Sequence, residues 1–184
     1  MFRFIVIVAL FSVVFSWKIT KRNAAVTLVT GVDSGYNAGA IALGQSLIDV
    51  GSKLRRIAMV TPEVPQQIRN SMSKEWEVRE VEPIACIHKL GPLVTPDKYD
   101  LSGEQYQAGL KRWSKTCTKF AAWTLYDMDR VVFIDADMLV LTPIDEVLYG
   151  YSNASFVAAP EVFPPDNFNS GFIVLNPSKE QFER

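Results

Sequence analysis

Hydrophobic and polar positions follow two periods along this chain, and the switches between them mark its elements. Ala25 to Thr30 is a run of β-formers closed by the turn cluster Gly31-Val-Asp-Ser-Gly35, which predicts a first strand. From about Asn37 to Val50, Ala40, Ile41, Gly44, Leu47 and Ile48 share one helical face, and Gly51 ends the helix. Arg56 to Thr61 reads as a second strand. A second helix follows, with Pro65 in its first turn and Ile68 and Met72 inward. Glu77 to Ile84 sets Val78, Val81 and Ile84 among charges and predicts a third strand at an edge. Strand, helix, strand, helix, strand with short connections implies a parallel sheet.

Ala85 to Gly109 has no clear period and carries Gly91, Pro92, Pro96 and Gly103, so a functional loop or lid is expected. Ser114 to Asp127 returns to a helical pattern, with Cys117, Phe120, Ala121 and Leu125 inward. Val131 to Ile134 are all β-branched or aromatic and predict a strand buried on both faces. Two carboxylates, Asp135 and Asp137, stand immediately after it around the small Ala136. A short helix over Pro143 to Leu148 and strands over Phe156 to Ala159 and Gly171 to Leu175 are expected next, with a loop over Pro160 to Asn169. Ser178 and Gln181 have the spacing of a capping box for a last helix. No internal repeat or low-complexity segment interrupts this order.

Composition adds a boundary and an exclusion. The 184 residues are 48% apolar and 21% charged, as in one globular domain. A net charge of -1 and the absence of a long basic run exclude nucleic acid as a partner. The first 17 residues stand apart: Arg3 precedes an apolar stretch from Phe4 to Phe15 broken only by Ser12. That is shorter than the roughly 20 residues of a spanning helix, and its layout is that of a signal peptide cleaved near Val14-Phe-Ser16. A short signal anchor continuing to Ile19 is the alternative, and it is the one way this chain would touch a membrane. Either reading delivers the domain to the secretory lumen, Golgi or endoplasmic reticulum. Residues 18–24 are then a short linker, and residues 25–184 are the domain. Asn153-Ala-Ser155 is a glycosylation sequon. The two cysteines, Cys86 and Cys117, are expected as free thiols, although a lumenal setting permits a disulfide between them.

Several chemistries lack their residues. No Gly-x-Gly-x-x-Gly or Walker phosphate loop follows a strand, and there is no Gly-x-Ser-x-Gly elbow. The single histidine, His88, excludes a two-histidine metal site and is expected to be an exposed loop residue. Asp135 and Asp137 remain. Residues i and i+2 of a strand face the same way, so both carboxylates can meet one cation. All-oxygen ligation suits Mg²⁺ or Mn²⁺, which keep positions open for phosphate oxygens. The rival reading is a strand-end turn in which each Asp bonds a nearby backbone N–H.

Asp135-Ala-Asp137 behind Val-Val-Phe-Ile resembles the metal motif of GT-A nucleotide-sugar glycosyltransferases, and more closely that of glycosyltransferase family 8, the glycogenin-like group. The resemblance runs from about Ala25 to the C-terminus. It is carried by Val26 to Thr30 with Tyr36, Gly39 to Gly44, Val60-Thr-Pro62, Thr118-Lys119, Phe133 to Leu141, Ala158-Ala-Pro160 and Phe168 to Phe172. It implies an α/β GT-A fold, a Rossmann-like mixed sheet flanked by helices. It also implies a retaining hexosyltransferase that moves a sugar from a UDP-sugar, UDP-glucose or related, to a saccharide, polyol or glycoconjugate acceptor. Asp135 and Asp137 would hold Mn²⁺ or Mg²⁺. Leu28, Thr30 and Tyr36 would surround the uridine, and Ala136 would line the donor site. Lys119 and, less directly, Arg112 would face the sugar-diphosphate; Asn169 and Ser170 would bond the donor sugar. Glu161 and Asp166 are acids of the same region without an assigned role, and no catalytic nucleophile is named. The family's third metal ligand, a histidine, falls after the Asn-Ser-Gly segment, beyond Arg184, so the resemblance implies a C-terminally incomplete domain. A catalytically inactive or truncated UDP-sugar-binding domain is therefore the alternative.

Overall fold

The computed structural model describes residues 22–31, 34–85, 115–160 and 168–183. The expected strands form in order. They are β1 (Asn23–Val29), β2 (Arg55–Val60), β3 (Glu77–Glu80), β4 (Arg130–Ile134), β5 (Phe156–Pro160) and β6 (Phe168–Leu175). The helices are α1 (Ser34–Asp49), α2 (Gln66–Met72), a 3₁₀ helix (Thr116–Thr124), α3 (Val147–Gly150) and α4 (Lys179–Phe182). Because β1 begins at Asn23, the end of the expected 18–24 linker belongs to the sheet. The N-terminal apolar segment, most of the aperiodic stretch, His88, Glu161 and Asp166 lie outside the described residues. No helix among the described residues is long and apolar enough to cross a membrane.

The six strands make one mixed sheet in the order β3-β2-β1-β4-β6-β5. β1 pairs in parallel with β2 and with β4, and β2 with β3, as the strand–helix alternation requires. β6 runs antiparallel to β4 and to β5. The chain winds outward from β1 to β3 and then returns to β1's other side as β4. That reversal creates the crevice in which open α/β sheets bind ligands.

Each strand presents alternate residues to two cores. Ala25, Val29, Val132 and Ile134 pack under α1, α2 and α3, with Leu43, Leu47, Met72 and Leu148. Ala24, Val26, Val131 and Phe133 pack under the 3₁₀ helix, with Ala121, Ala122 and Leu125. Two glycines of α1 allow close packing. A Cβ on Gly44 would lie 2.4 Å from Trp76 Nε1, whose N–H donates to the Ala40 carbonyl at 2.7 Å. Gly39 meets the loop after β4.

Three local expectations change. The helix expected over Ser114 to Asp127 is a 3₁₀ helix, and its three-residue period rotates the buried face. Thr118 and Ala121 form one inward ridge, and Lys119, Ala122 and Leu125 a second, while Phe120 turns out and is 43% exposed. Cys117 is disulfide-bonded, which corrects the expectation of free thiols. Its neighbour Thr118 accepts a hydrogen bond from Ile84 N at 3.0 Å and donates to Ile84 O at 3.4 Å, tying the two chain segments together. The sequence's other cysteine, Cys86, lies outside the described residues. At α4, Ser178 accepts from Gln181 N at 3.4 Å, but only half the capping box forms. The Gln181 side-chain oxygen instead accepts from Trp123 Nε1 at 3.3 Å.

Candidate functional site

The site grows from the end of β4. Period two puts Val131, Phe133 and then Asp135 on the face covered by the 3₁₀ helix. Asp135 N donates to Gly171 O at 2.8 Å, which extends the β4–β6 ladder by one residue and fixes where the carboxylate points. The carboxylate meets Lys119: its ammonium donates to Oδ1 at 3.0 Å and Oδ2 at 3.2 Å. The same ammonium reaches Ser170 Oγ at 3.1 Å and lies 5.4 Å from the Phe133 ring centre. Asp135 therefore bonds a lysine of the 3₁₀ helix that covers the same face of the sheet.

Asp135, Ala136 and Asp137 line one cavity of about 700 Å³ together with Leu28, Thr30, Tyr36, Lys119 and Ser170. Of the sequence-derived site residues, the structure thus gathers eight at the C-terminal ends of β1 and β4. Tyr36 sits in the first turn of α1 with 43% of its surface exposed, so its ring is available to the cavity. Ala136 is buried, and its carbonyl is pressed against α1. A Cβ on Gly39 would come within 2.3 Å of that oxygen, so glycine is what lets the helix reach the acidic loop. Asn169 is not among the residues lining the cavity; its side-chain oxygen accepts from Gly171 N at 2.8 Å and shapes the turn into β6. Arg112 lies outside the described residues.

Sequence reasoning missed Lys115 and Thr116, which line the same cavity. Lys115 forms an ion pair with Glu63, from the turn after β2, and this hydrogen bond holds the Glu63 carboxyl below its ordinary range. Nothing in the local pattern points to either residue, because their approach depends on the 3₁₀ helix lying across the ends of β1 and β2.

The donor set fits a hard divalent cation. Two carboxylates supply oxygen ligands, and the Lys119 ammonium already marks a cation position against Asp135. Gly171 leaves room beside it, since a Cβ there would lie 3.2 Å from Asp135 Oδ2. Among the described residues no group of three acidic, histidine or cysteine side chains surrounds a metal position. Further ligands would then come from the substrate or water, as is usual for Mg²⁺.

The architecture is shared with solved glycosyltransferases. It matches the galactosyltransferase LgtC in complex with donor and acceptor sugar analogues, with a TM-score of 0.57 over 88% of this chain at 12% identity; the match spans 60% of LgtC. It also matches the glycosyltransferase GlyE of Streptococcus pneumoniae TIGR4, with a TM-score of 0.52 over 89% of this chain and 36% of GlyE at 18% identity. The fold is therefore the GT-A fold of these proteins. No family model matches the sequence. Human glycogenin-2 is 37% identical over 159 residues, 85% of this chain and 28% of that protein. Rabbit (Oryctolagus cuniculus) glycogenin-1 is 31% identical over 88% of this chain and 44% of its own length. UDP-glucuronate:xylan alpha-glucuronosyltransferase 2 of Arabidopsis thaliana is 31% identical over 88% of this chain and 23% of its own length. With that fold, the chain is similar in sequence to the glycogenin-like glycosyltransferases of family 8. It spans less than half the length of these curated relatives.

Proposed function

We propose that this domain transfers a hexose from a UDP-sugar to an acceptor hydroxyl with retention of the α-configuration, using a divalent cation at Asp135 and Asp137. The observation that carries this is the convergence of both aspartates, Lys119 and Tyr36 on one cavity at the sheet's switch point. The Arabidopsis relative, a UDP-glucuronate:xylan alpha-glucuronosyltransferase, supports the class of donor.

Each part of the cavity suits one part of such a donor. Leu28 and Thr30 flank the uridine, and the exposed Tyr36 ring offers a stacking face. Lys119 offsets the negative charge of the diphosphate from a position where water is largely excluded. Ser170, with Asn169 beside it on β6, bonds the sugar hydroxyls. Asp135 and Asp137 hold the cation, Mn²⁺ or Mg²⁺, which when bound neutralises the leaving nucleotide. The acceptor class is a saccharide, polyol or glycoconjugate. The disulfide at Cys117 supports a secretory, oxidising compartment, Golgi or endoplasmic reticulum.

Asp135→Asn and Asp137→Asn are each expected to lower metal-dependent UDP release from UDP-sugar donors by at least a hundredfold. Unchanged turnover in both variants would refute the assignment. A second reading is favoured by the two-carboxylate donor set alone: a domain that binds UDP-sugar without turning it over. Calorimetry with UDP and Mn²⁺ would then show binding while the wild-type chain released no UDP.

A further inference from the structure

The Lys119–Asp135 pair does more than line the cavity. Lys119 is only 8% exposed, and its ammonium spans both oxygens of Asp135 at 3.0 and 3.2 Å. It also touches Ser170 Oγ at 3.1 Å and Ser170 O at 3.4 Å, so its three N–H groups are directed to the carboxylate and to β6. The Phe133 ring below it, 5.4 Å from Nζ, favours a cation at the same point. This is a built position for a positive charge, and the chain fills it with its own side chain.

A divalent cation ligated by Asp135 must take an oxygen that already accepts from Lys119. Two cations sharing one carboxylate at these distances repel each other, and burial reduces the screening that would weaken the repulsion. We propose that Lys119 is a resident counter-cation that keeps metal off Asp135 until a nucleoside diphosphate arrives. The diphosphate supplies the anionic oxygens that draw the ammonium away and at the same time bridge to the metal. Metal and nucleotide therefore load as a coupled pair, and by linkage each strengthens the other's binding to the same extent. The inference rests on the reading of the cavity as a nucleotide-sugar site and names how that site is regulated.

The test is binding, not turnover. Free Mn²⁺ is titrated by electron paramagnetic resonance against the wild-type chain and against Lys119→Met, Lys119→Gln and Lys119→Arg, with and without saturating UDP. The wild type is expected to bind Mn²⁺ at least tenfold more tightly with UDP than without. Both neutral variants are expected to bind Mn²⁺ alone at least tenfold more tightly than the wild type, with a smaller gain from UDP. Lys119→Arg keeps a cation and stays weak for metal alone. If the neutral variants bind Mn²⁺ no better than the wild type, the guard does not exist. Should those variants fail to fold, the wild-type titration still decides, because equal Mn²⁺ affinity with and without UDP overturns the coupling. If the wild type binds neither UDP nor Mn²⁺ in the other's presence, the nucleotide-site reading falls, and the inference with it.

Discussion

At the scale of single residues, two glycines of α1 do different jobs with the same missing atom. Gly39 admits the Ala136 carbonyl, and Gly44 admits the Trp76 indole. Adding a methyl group to either should cost about 1–3 kcal/mol through overpacking. Only Gly39→Ala forces the Asp135-Ala136-Asp137 loop to move, since the clash is with backbone. Gly39→Ala is expected to lose at least tenfold in affinity for UDP with Mn²⁺, while Gly44→Ala melts earlier but binds normally below its transition. Calorimetric melting and UDP titration of the two variants check this. Asp135 was legible in the sequence because four apolar β-formers ran straight into it. The contact of Lys119 with Asp135 was not, because α-helical spacing turned Cys117 and Phe120 inward in its place. A 3₁₀ period differs by only about 20° per residue, yet over one turn that decides which side chain faces the sheet. Lys115 was invisible for another reason: its partner Glu63 is remote in sequence, and no periodicity links them.

At the scale of elements, β3 is an edge strand held by charges more than by burial. Arg79 donates to both oxygens of Asp127 at 2.8 Å, and Arg55 reaches across from β2 to Glu77 at 2.6 Å. Arg79's hydrogen bonds hold the Asp127 carboxyl below its ordinary range, against a smaller effect of burial. Burial opposes ionisation of Glu77, but the bonds from Arg55 and Arg79 outweigh it and lower that carboxyl too. Folded values below the unfolded ones of about 4 mean that the stabilisation is complete above that pH. It fades as pH falls through the folded values. The two carboxylates are roughly half exposed, so the effect is modest and weakens with salt. Arg79→Met should therefore melt below the wild type at pH 7, and the difference should shrink toward zero as pH is lowered to about 2. A gap independent of pH would mean that Arg79 acts by packing alone. The charges among Val78 and Val81 made this strand readable as an edge, while its short length, four residues, was not. The ladder to β2 stops where Ile57 to Val60 end their pairing.

At the scale of the whole molecule, the strand–helix alternation announced the parallel half of the sheet. The antiparallel β5–β6 addition came only with the family resemblance, because short apolar runs do not reveal their direction. The disulfide at Cys117 also belongs to this scale, since spacing cannot show that distant thiols meet. Next to it in the chain, Thr118 makes the tie to Ile84 that seats the 3₁₀ helix on the sheet. Reduction with dithiothreitol is expected to lower stability by about 2–4 kcal/mol, read as an earlier thermal transition. An unchanged transition would show that the helix is seated by packing alone.

The strand order also separates the time of synthesis from the time of assembly. β1 is made early and finds β2 after one helix, but its other edge waits for β4. The contact is as remote as Arg22 to Asp129, 107 positions apart. Asp135 is then set only when Gly171 arrives on β6. Pairings of such long range close slowly, and until they do a central strand behaves as an open edge that other chains can join. β1 thus stays open on one side until β4 arrives, and the acidic loop gains its orientation only when β6 follows and covers β4.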